Sequence, residues 1–233
     1  MEHDKREKKA VILLSGGLDS TTVLAIVAAE GYLCHCLSFD YGQRQSIELD
    51  RARGSAARYG AGEHLVLRVE LDRIGGSALT TGLAVPKGRD PEEMGSSVPP
   101  TYVPGRNTIF LSYAMAWAEV IGAADIFIGV NALDYSGYPD CRPEYLQAFE
   151  KLAGLATRAG TEEMREFRIH APLLHLTKRE IIQRGAALGV DYSRTHSCYD
   201  PGKDGLACGT CDACLLRLKG FAEAGLTDPL PYR

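Results

Sequence analysis

Seven consecutive residues near the amino terminus, Ser15-Gly16-Gly17-Leu18-Asp19-Ser20-Thr21, combine glycines, hydroxyls and a carboxylate. They follow the apolar run from Ala10 to Leu14, so they read as a strand-to-helix turn. Glycines there let the backbone turn tightly, and several amide hydrogens can converge on phosphate oxygens. Ser15, Ser20 and Thr21 add hydroxyl donors, and the free amides and dipole of the next helix favour an anion. Asp19 has three readings: it caps that helix, holds the loop, or helps place Mg2+ against the phosphates. The segment fits neither G-x-x-x-x-G-K-S/T nor G-x-G-x-x-G.

A second group lies near the other end. Cys198, Cys208, Cys211 and Cys214 offer four thiolates, and the two-residue gaps among the last three allow a tight turn around one ion. Tetrahedral Zn2+ suits that set; an iron–sulfur cluster also accepts four cysteines, and packing without metal is the third alternative. Four protein ligands leave no open position, so a zinc ion here would support folding and not activate water. Cys34, Cys36 and Cys141 fall outside the spacing. Arg217, Lys219 and Arg233 are offset by Asp212, Glu223 and Asp228, so no basic patch accompanies the cysteines.

The elements that must position these groups alternate. Strands are expected at Ala10 to Leu14, Leu33 to Phe39, His64 to Val69, Asp125 to Val130 and Phe167 to Ala171. Helices are expected at Asp19 to Glu30, Ile47 to Arg58, Thr108 to Ile121, Pro143 to about Ala159 and Lys178 to Leu188. This alternation predicts an α/β fold with a mainly parallel sheet covered on both faces. Between about residues 72 and 105 glycine and proline replace apolar runs. A structureless loop that long is unusual inside a compact domain, so a flap or a subunit-contacting excursion is expected, with a poorly ordered insertion as the alternative. The division expected is a nucleotide-binding domain over 1–192 and a small zinc-binding lobe over 193–233.

The chain has 233 residues, 26 basic against 30 acidic, a formal net charge of -4 that supplies no basic field for nucleic acid. No stretch approaches the roughly eighteen apolar residues of a membrane span. The charged start, Met1 to Lys9, lacks a secretory apolar segment, and a cytoplasmic location is expected.

The glycine turn resembles the SGGxDS signature of the PP-loop ATP pyrophosphatases, which implies a Rossmann-like fold of the HUP, or adenine nucleotide alpha hydrolase-like, kind. Leu14, Ser15, Gly16, Gly17, Leu18, Asp19, Ser20 and Thr21 then become the ATP-binding set. The group cleaves ATP between its α and β phosphates, transfers AMP to a carbonyl oxygen, and lets a nitrogen or sulfur nucleophile displace AMP.

Further segments resemble the 7-cyano-7-deazaguanine synthase (QueC) family. These are Phe39-Asp40-Tyr41-Gly42-Gln43-Arg44, Tyr102-Val103-Pro104-Gly105-Arg106-Asn107, Gly129-Val130-Asn131, Asp134 to Arg142, and Thr195-x-Ser197-Cys198-Tyr199 with the remaining cysteines. Gln45 stands where histidine is frequent, and Leu18 where glutamine or methionine is frequent; neither removes a phosphate donor. The resemblance implies conversion of 7-carboxy-7-deazaguanine and ammonia to 7-cyano-7-deazaguanine through an adenylated carboxylate and an amide, with ATP, Mg2+ and one structural Zn2+ per subunit, in a homodimer. Catalytic expectations fall on Asp19, Arg106 and Lys178. Arg106 suits a carboxylate or developing phosphate charge, and Lys178 is a candidate for leaving pyrophosphate or a solvated helix lysine. Substrate contacts are expected from Arg106, Asn131, Asp134, Tyr138 and Asp140, near a strand end where open α/β sheets form crevices. A tRNA thiolase, and a zinc-stabilised nucleotide sensor without turnover, are the competing readings.

Overall fold

The computed structural model describes residues 8–44, 47–90, 94, 97–133 and 138–233. Strands β1 (Lys9–Leu13), β2 (Leu33–Asp40), β3 (Glu63–Arg68), β4 (Asp125–Phe127) and β5 (Arg168–His170) form one sheet in the order β3-β2-β1-β4-β5. Every neighbouring pair is parallel. The helices are α1 (Leu18–Ala29), α2 (Ile47–Arg58), α3 (Arg106–Ile121), α4 (Pro143–Ala156), α5 (Arg158–Thr161), α6 (Lys178–Ala187) and α7 (Asp212–Glu223). Strand order reverses direction between β1 and β4, and such a switch point opens a crevice at the carboxyl ends of the strands.

Side chains alternate across the sheet as the pleat requires. Ala10, Ile12 and Leu14, with Cys34 and Cys36, pack under α1, α2 and α6. Val11 and Leu13, with Leu37 and Phe39, face α3 and α4. Helix α1 is buried at almost every position from Leu18 to Val27. A helix buried on nearly every side has to be enclosed, and α2 and α6 supply that cover beside the sheet.

A third cluster surrounds the cysteines. Ala78 and Val85, from the stretch between 72 and 105, pack with Cys198, Cys208, Cys211, Cys214 and Leu230. Lys87 makes an antiparallel bridge to Cys211, and the Arg89 guanidinium donates to Asp212 at 2.8 Å. Part of the excursion therefore lies against the cysteine region, while its Leu79 and Val103 pack into the core on the α3 side of the sheet.

Three departures from the sequence expectation concern the sheet edge and the helices around it. Strand β4 ends at Phe127 instead of Val130: Ile128 still donates to the His170 carbonyl at 2.9 Å, and Ile128, Gly129 and Val130 then line the crevice. Helix α4 stops at Ala156 because Thr157 is extended (φ -115°, ψ 151°) and its hydroxyl caps the next turn by accepting from Gly160 N. Helix α7 was not expected, although its buried Ala213, Cys214, Arg217, Gly220 and Phe221 have helical spacing.

Candidate active site

The crevice at the switch point is lined on one side by Leu14, Ser15, Gly17, Leu18, Asp19 and Ser20. The turn holds itself open through its own hydroxyls. Ser15 and Ser20 oxygens are 3.0 Å apart, Gly17 N donates to Ser15 Oγ at 3.3 Å, and Ser15 N donates to Ser20 Oγ at 3.2 Å. Gly16 has φ +83°, and a Cβ there would sit 2.3 Å from the Glu48 carbonyl oxygen and 2.6 Å from Ala52 N. Those are backbone atoms of α2, so only glycine fits. Gly16 itself and Thr21 are not among the lining residues; Thr21 is buried behind the turn.

Asp19 and Lys178, far apart in sequence, meet in the crevice. Lys178 Nζ lies 2.7 and 2.9 Å from the two Asp19 carboxylate oxygens. Lys178 is the first residue of α6, which starts with a capping box between Thr177 and Glu180. Its stem runs against α7 at Gly220, where a Cβ would come within 2.3 Å of Lys178 Cγ. The side chain is only 8% exposed, which answers the question of a solvated helix lysine: the ammonium is held at the crevice by an acid and by the absence of a side chain on α7.

The opposite side is built from side chains of α3 and the loops around it. Arg106 opens α3, two residues earlier than expected, and lines the crevice with Tyr41, Tyr138, Phe110 and Cys141. Burial alone would lower the Arg106 pKa, but the oxygens of Tyr41, Tyr138 and Asp140 around it outweigh that and raise it. A permanently charged fork thus faces the cavity. Phe110 stacks on Phe39 with centroids 3.9 Å apart and planes 4° apart, giving a flat apolar wall. The Gln43 side chain locks the preceding loop by accepting from Tyr41 N at 2.7 Å and donating to the Phe39 carbonyl at 3.1 Å.

Two of the expected substrate residues do other work. Asn131 is fully buried; its amide donates to the Leu173 and Leu176 carbonyls and its oxygen accepts from Leu133 N. Asp140 Oδ2 accepts from Asn107 N at 3.1 Å, placing an acid at the start of α3. Neither is among the lining residues, whereas Tyr138 is. Asp134 and Gln45 lie outside the described residues. Sequence reasoning assigned no role to Glu48, Ser197 or Arg217, which also line the crevice. Ser197 belongs to the Thr195-x-Ser197-Cys198-Tyr199 motif, whereas Glu48 carries no signal separating it from an exposed helix acid.

The four cysteine sulfurs lie within 4.8 Å of one another, and all four residues are buried. Tetrahedral zinc thiolates place sulfurs roughly 3.8 Å apart, given Zn–S bonds of about 2.3 Å. Backbone amides already point at the sulfurs: Cys208 N to Cys198 at 3.2 Å, Cys211 N to Cys208 at 3.3 Å, and Tyr199 N to Cys211 at 3.4 Å. Amide donors of this kind favour thiolates, so the donor set fits a structural metal. Cys141, by contrast, is pushed up to about 12 by burial.

Fold and site together define a protein of the PP-loop class: a parallel α/β sheet with a Ser-Gly-Gly turn after its first strand, completed by a small four-cysteine metal-binding lobe. The chain belongs to the queuosine biosynthesis protein QueC family, whose model matches residues 9–225. It is 65% identical over 225 residues to 7-cyano-7-deazaguanine synthase of Geobacter metallireducens, covering 97% of this chain and 93% of that one. To the synthase of Geotalea daltonii it is 66% identical over 226 residues, covering 97% of each.

Proposed function

We propose that the protein makes 7-cyano-7-deazaguanine from 7-carboxy-7-deazaguanine and ammonia at the expense of ATP. Family membership and identity above 60% to synthases along nearly the whole chain support the reaction. The observation that carries the chemistry is the Asp19–Lys178 pair at 2.7 Å beside the glycine turn, because it sets a cation where pyrophosphate would leave.

The substrate carboxylate oxygen attacks the α phosphorus of ATP; the bond to the β-phosphate bridging oxygen breaks, and pyrophosphate departs. Ser15, Gly17 and Ser20 hold the departing phosphates, and Lys178 offsets their charge. Ammonia adds to the acyl carbon, AMP leaves, and loss of a proton gives the amide. A second ATP activates the amide oxygen in the same way. AMP then carries that oxygen away as the nitrogen loses its protons and the triple bond forms. Arg106 holds the carboxylate, and later the amide oxygen, in line with the α phosphorus. Tyr138 and the Phe39–Phe110 wall bound the deazapurine, while Asn131 and Asp140 act through the loops they brace. Asp134 is assigned to the substrate on its motif alone.

Asp19 is the residue here that would approach Mg2+, which would supply charge neutralisation to the phosphates when bound. The cysteine lobe takes one Zn2+ per subunit. The lobe over 193–233 and the domain over 1–192 form the working unit, in a homodimer of the cytoplasm with small-molecule substrates and no stable nucleic-acid partner. No described helix is long and apolar enough to cross a membrane.

Purified protein given ATP, Mg2+, ammonium and 7-carboxy-7-deazaguanine is expected to yield the carboxamide and then the nitrile by mass spectrometry, with AMP and pyrophosphate accumulating. A metal-loaded, folded sample that forms neither product would reject the reaction; ADP and phosphate in place of AMP would reject the adenylation route.

A further inference from the structure

Four consecutive residues, 195–198, are each tied to a different part of the site. Thr195 Oγ1 accepts from Arg217 of α7 at 2.7 Å. His196 N donates to the Gly16 carbonyl at 3.0 Å. Ser197 Oγ accepts from Leu18 N at 3.2 Å, and Cys198 belongs to the metal cluster. Arg217 is fixed in turn: it forks onto Asp228 at 2.7 and 2.9 Å, and both side chains are 2% exposed. The segment is a strap between the metal lobe and the phosphate turn.

The Ser197 contact stands out chemically. Gly17 is the N-cap residue of α1 and has no side chain with which to cap. One of the first amides of α1, Leu18 N–H, is therefore satisfied from across the molecule. Because Ser197 Oγ accepts that bond, its own hydroxyl proton is left to point elsewhere, and Ser197 lines the crevice. The position is defined by Gly17: a Cβ built there would lie 3.4 Å from Ser15 Oγ and 3.5 Å from Ser197 Oγ. The two hydroxyls flank the same open face of Gly17, one from the turn and one from the strap.

We infer that Ser197 is a pyrophosphate-binding residue, a hydroxyl donor paired with Ser15 across Gly17. Its ligand class is the β and γ phosphates of ATP and the inorganic pyrophosphate they become. The metal lobe thereby supplies part of the phosphate grip, and loss of the metal loosens it through Cys198, the residue next to Ser197. The inference rests on the reading of the glycine turn as the pyrophosphate site.

Titration of full-length, metal-loaded protein with inorganic pyrophosphate and, separately, with AMP tests it. In Ser197→Ala, pyrophosphate affinity is expected to fall about tenfold, the scale of one hydrogen bond to a charged group. AMP affinity and zinc content should stay at wild-type levels, and Ser197→Thr should recover most of the loss. Chelator-treated wild-type protein is expected to lose pyrophosphate affinity at least as far as Ser197→Ala. Unchanged pyrophosphate binding in Ser197→Ala would overturn the assignment while leaving the turn's role intact. An equal fall for both probes together with lost zinc would overturn it too, since that pattern belongs to a purely structural serine. Wild-type protein that binds no pyrophosphate would remove the reading of the turn, and the Ser197 assignment with it.

Discussion

At the glycine-turn end of the crevice, from Ser15 to Ser20, the polar groups that face the cavity are amides, short hydroxyls and the Asp19 carboxylate, all fixed by one turn. At the other end, Arg106, Tyr138, Tyr41 and Phe110 arrive as long side chains from α3 and neighbouring loops. The first end is specified by backbone geometry, so a single added methyl group can destroy it. The second is specified by the shape and charge of rings and a guanidinium, so it should respond to chemical substitution by degrees.

The comparison breaks most readily at Gly16. A side chain there adopts a left-handed backbone costing about 1–2 kcal/mol, and its Cβ also meets the Glu48 carbonyl at 2.3 Å. Gly16→Ala is expected to lower the melting temperature and abolish turnover; a variant as stable and active as wild type would contradict the backbone account. Next is Lys178→Met, which keeps the stem against Gly220 but removes the ammonium. Loss of one preorganised cation should lower kcat on the order of 10²- to 10³-fold. The accompanying loss of stability is itself informative, because Asp19 is left without its partner in a pair that is 8% and 19% exposed. Wild-type kcat would confine Lys178 to a structural role.

A smaller effect is expected at the substrate end. Arg106→Lys retains charge but not the planar fork, and about a hundredfold loss in kcat/KM for the deazapurine should follow. Pyrophosphate affinity should not move, and a parallel fall in both would merge the two ends into one unit. The mildest change is Phe110→Leu. It removes the ring stacked on Phe39, worth roughly 0.5–1.5 kcal/mol, so a few-fold rise in deazapurine KM with unchanged kcat is expected. Steady-state kinetics at saturating ATP would check both.

The difference also explains what the sequence made legible. The sheet, its parallel sense and the phosphate turn announce themselves through local signals: an apolar run, paired glycines, a helical period. Lys178 was visible as a candidate, but its burial depends on Gly220 in a helix that the cysteine spacing masked. Arg217, two per cent exposed, looked like one more balancing surface charge, because nothing local shows that Asp228 folds back onto it. Asn131 and Asp140 had the right chemistry for a ligand edge. The Asn131 amide instead bonds the Leu173 and Leu176 carbonyls, and Asp140 Oδ2 accepts from Asn107, partners set by tertiary contact. Local pattern fixes a backbone site; a side-chain site also needs the neighbours that compete for each polar group.

The bond from Leu18 to Ser197 spans 179 positions, and that separation has a temporal meaning during synthesis. At about 5–20 residues per second, the amino-terminal turn leaves the ribosome roughly ten to forty seconds before the serine that closes it. Throughout that interval the nascent turn lacks one of its ties, so nucleotide would stabilise it less than it stabilises the finished chain. Full-strength grip on the phosphates would thus come only once translation has passed the strap and the cysteines beyond it.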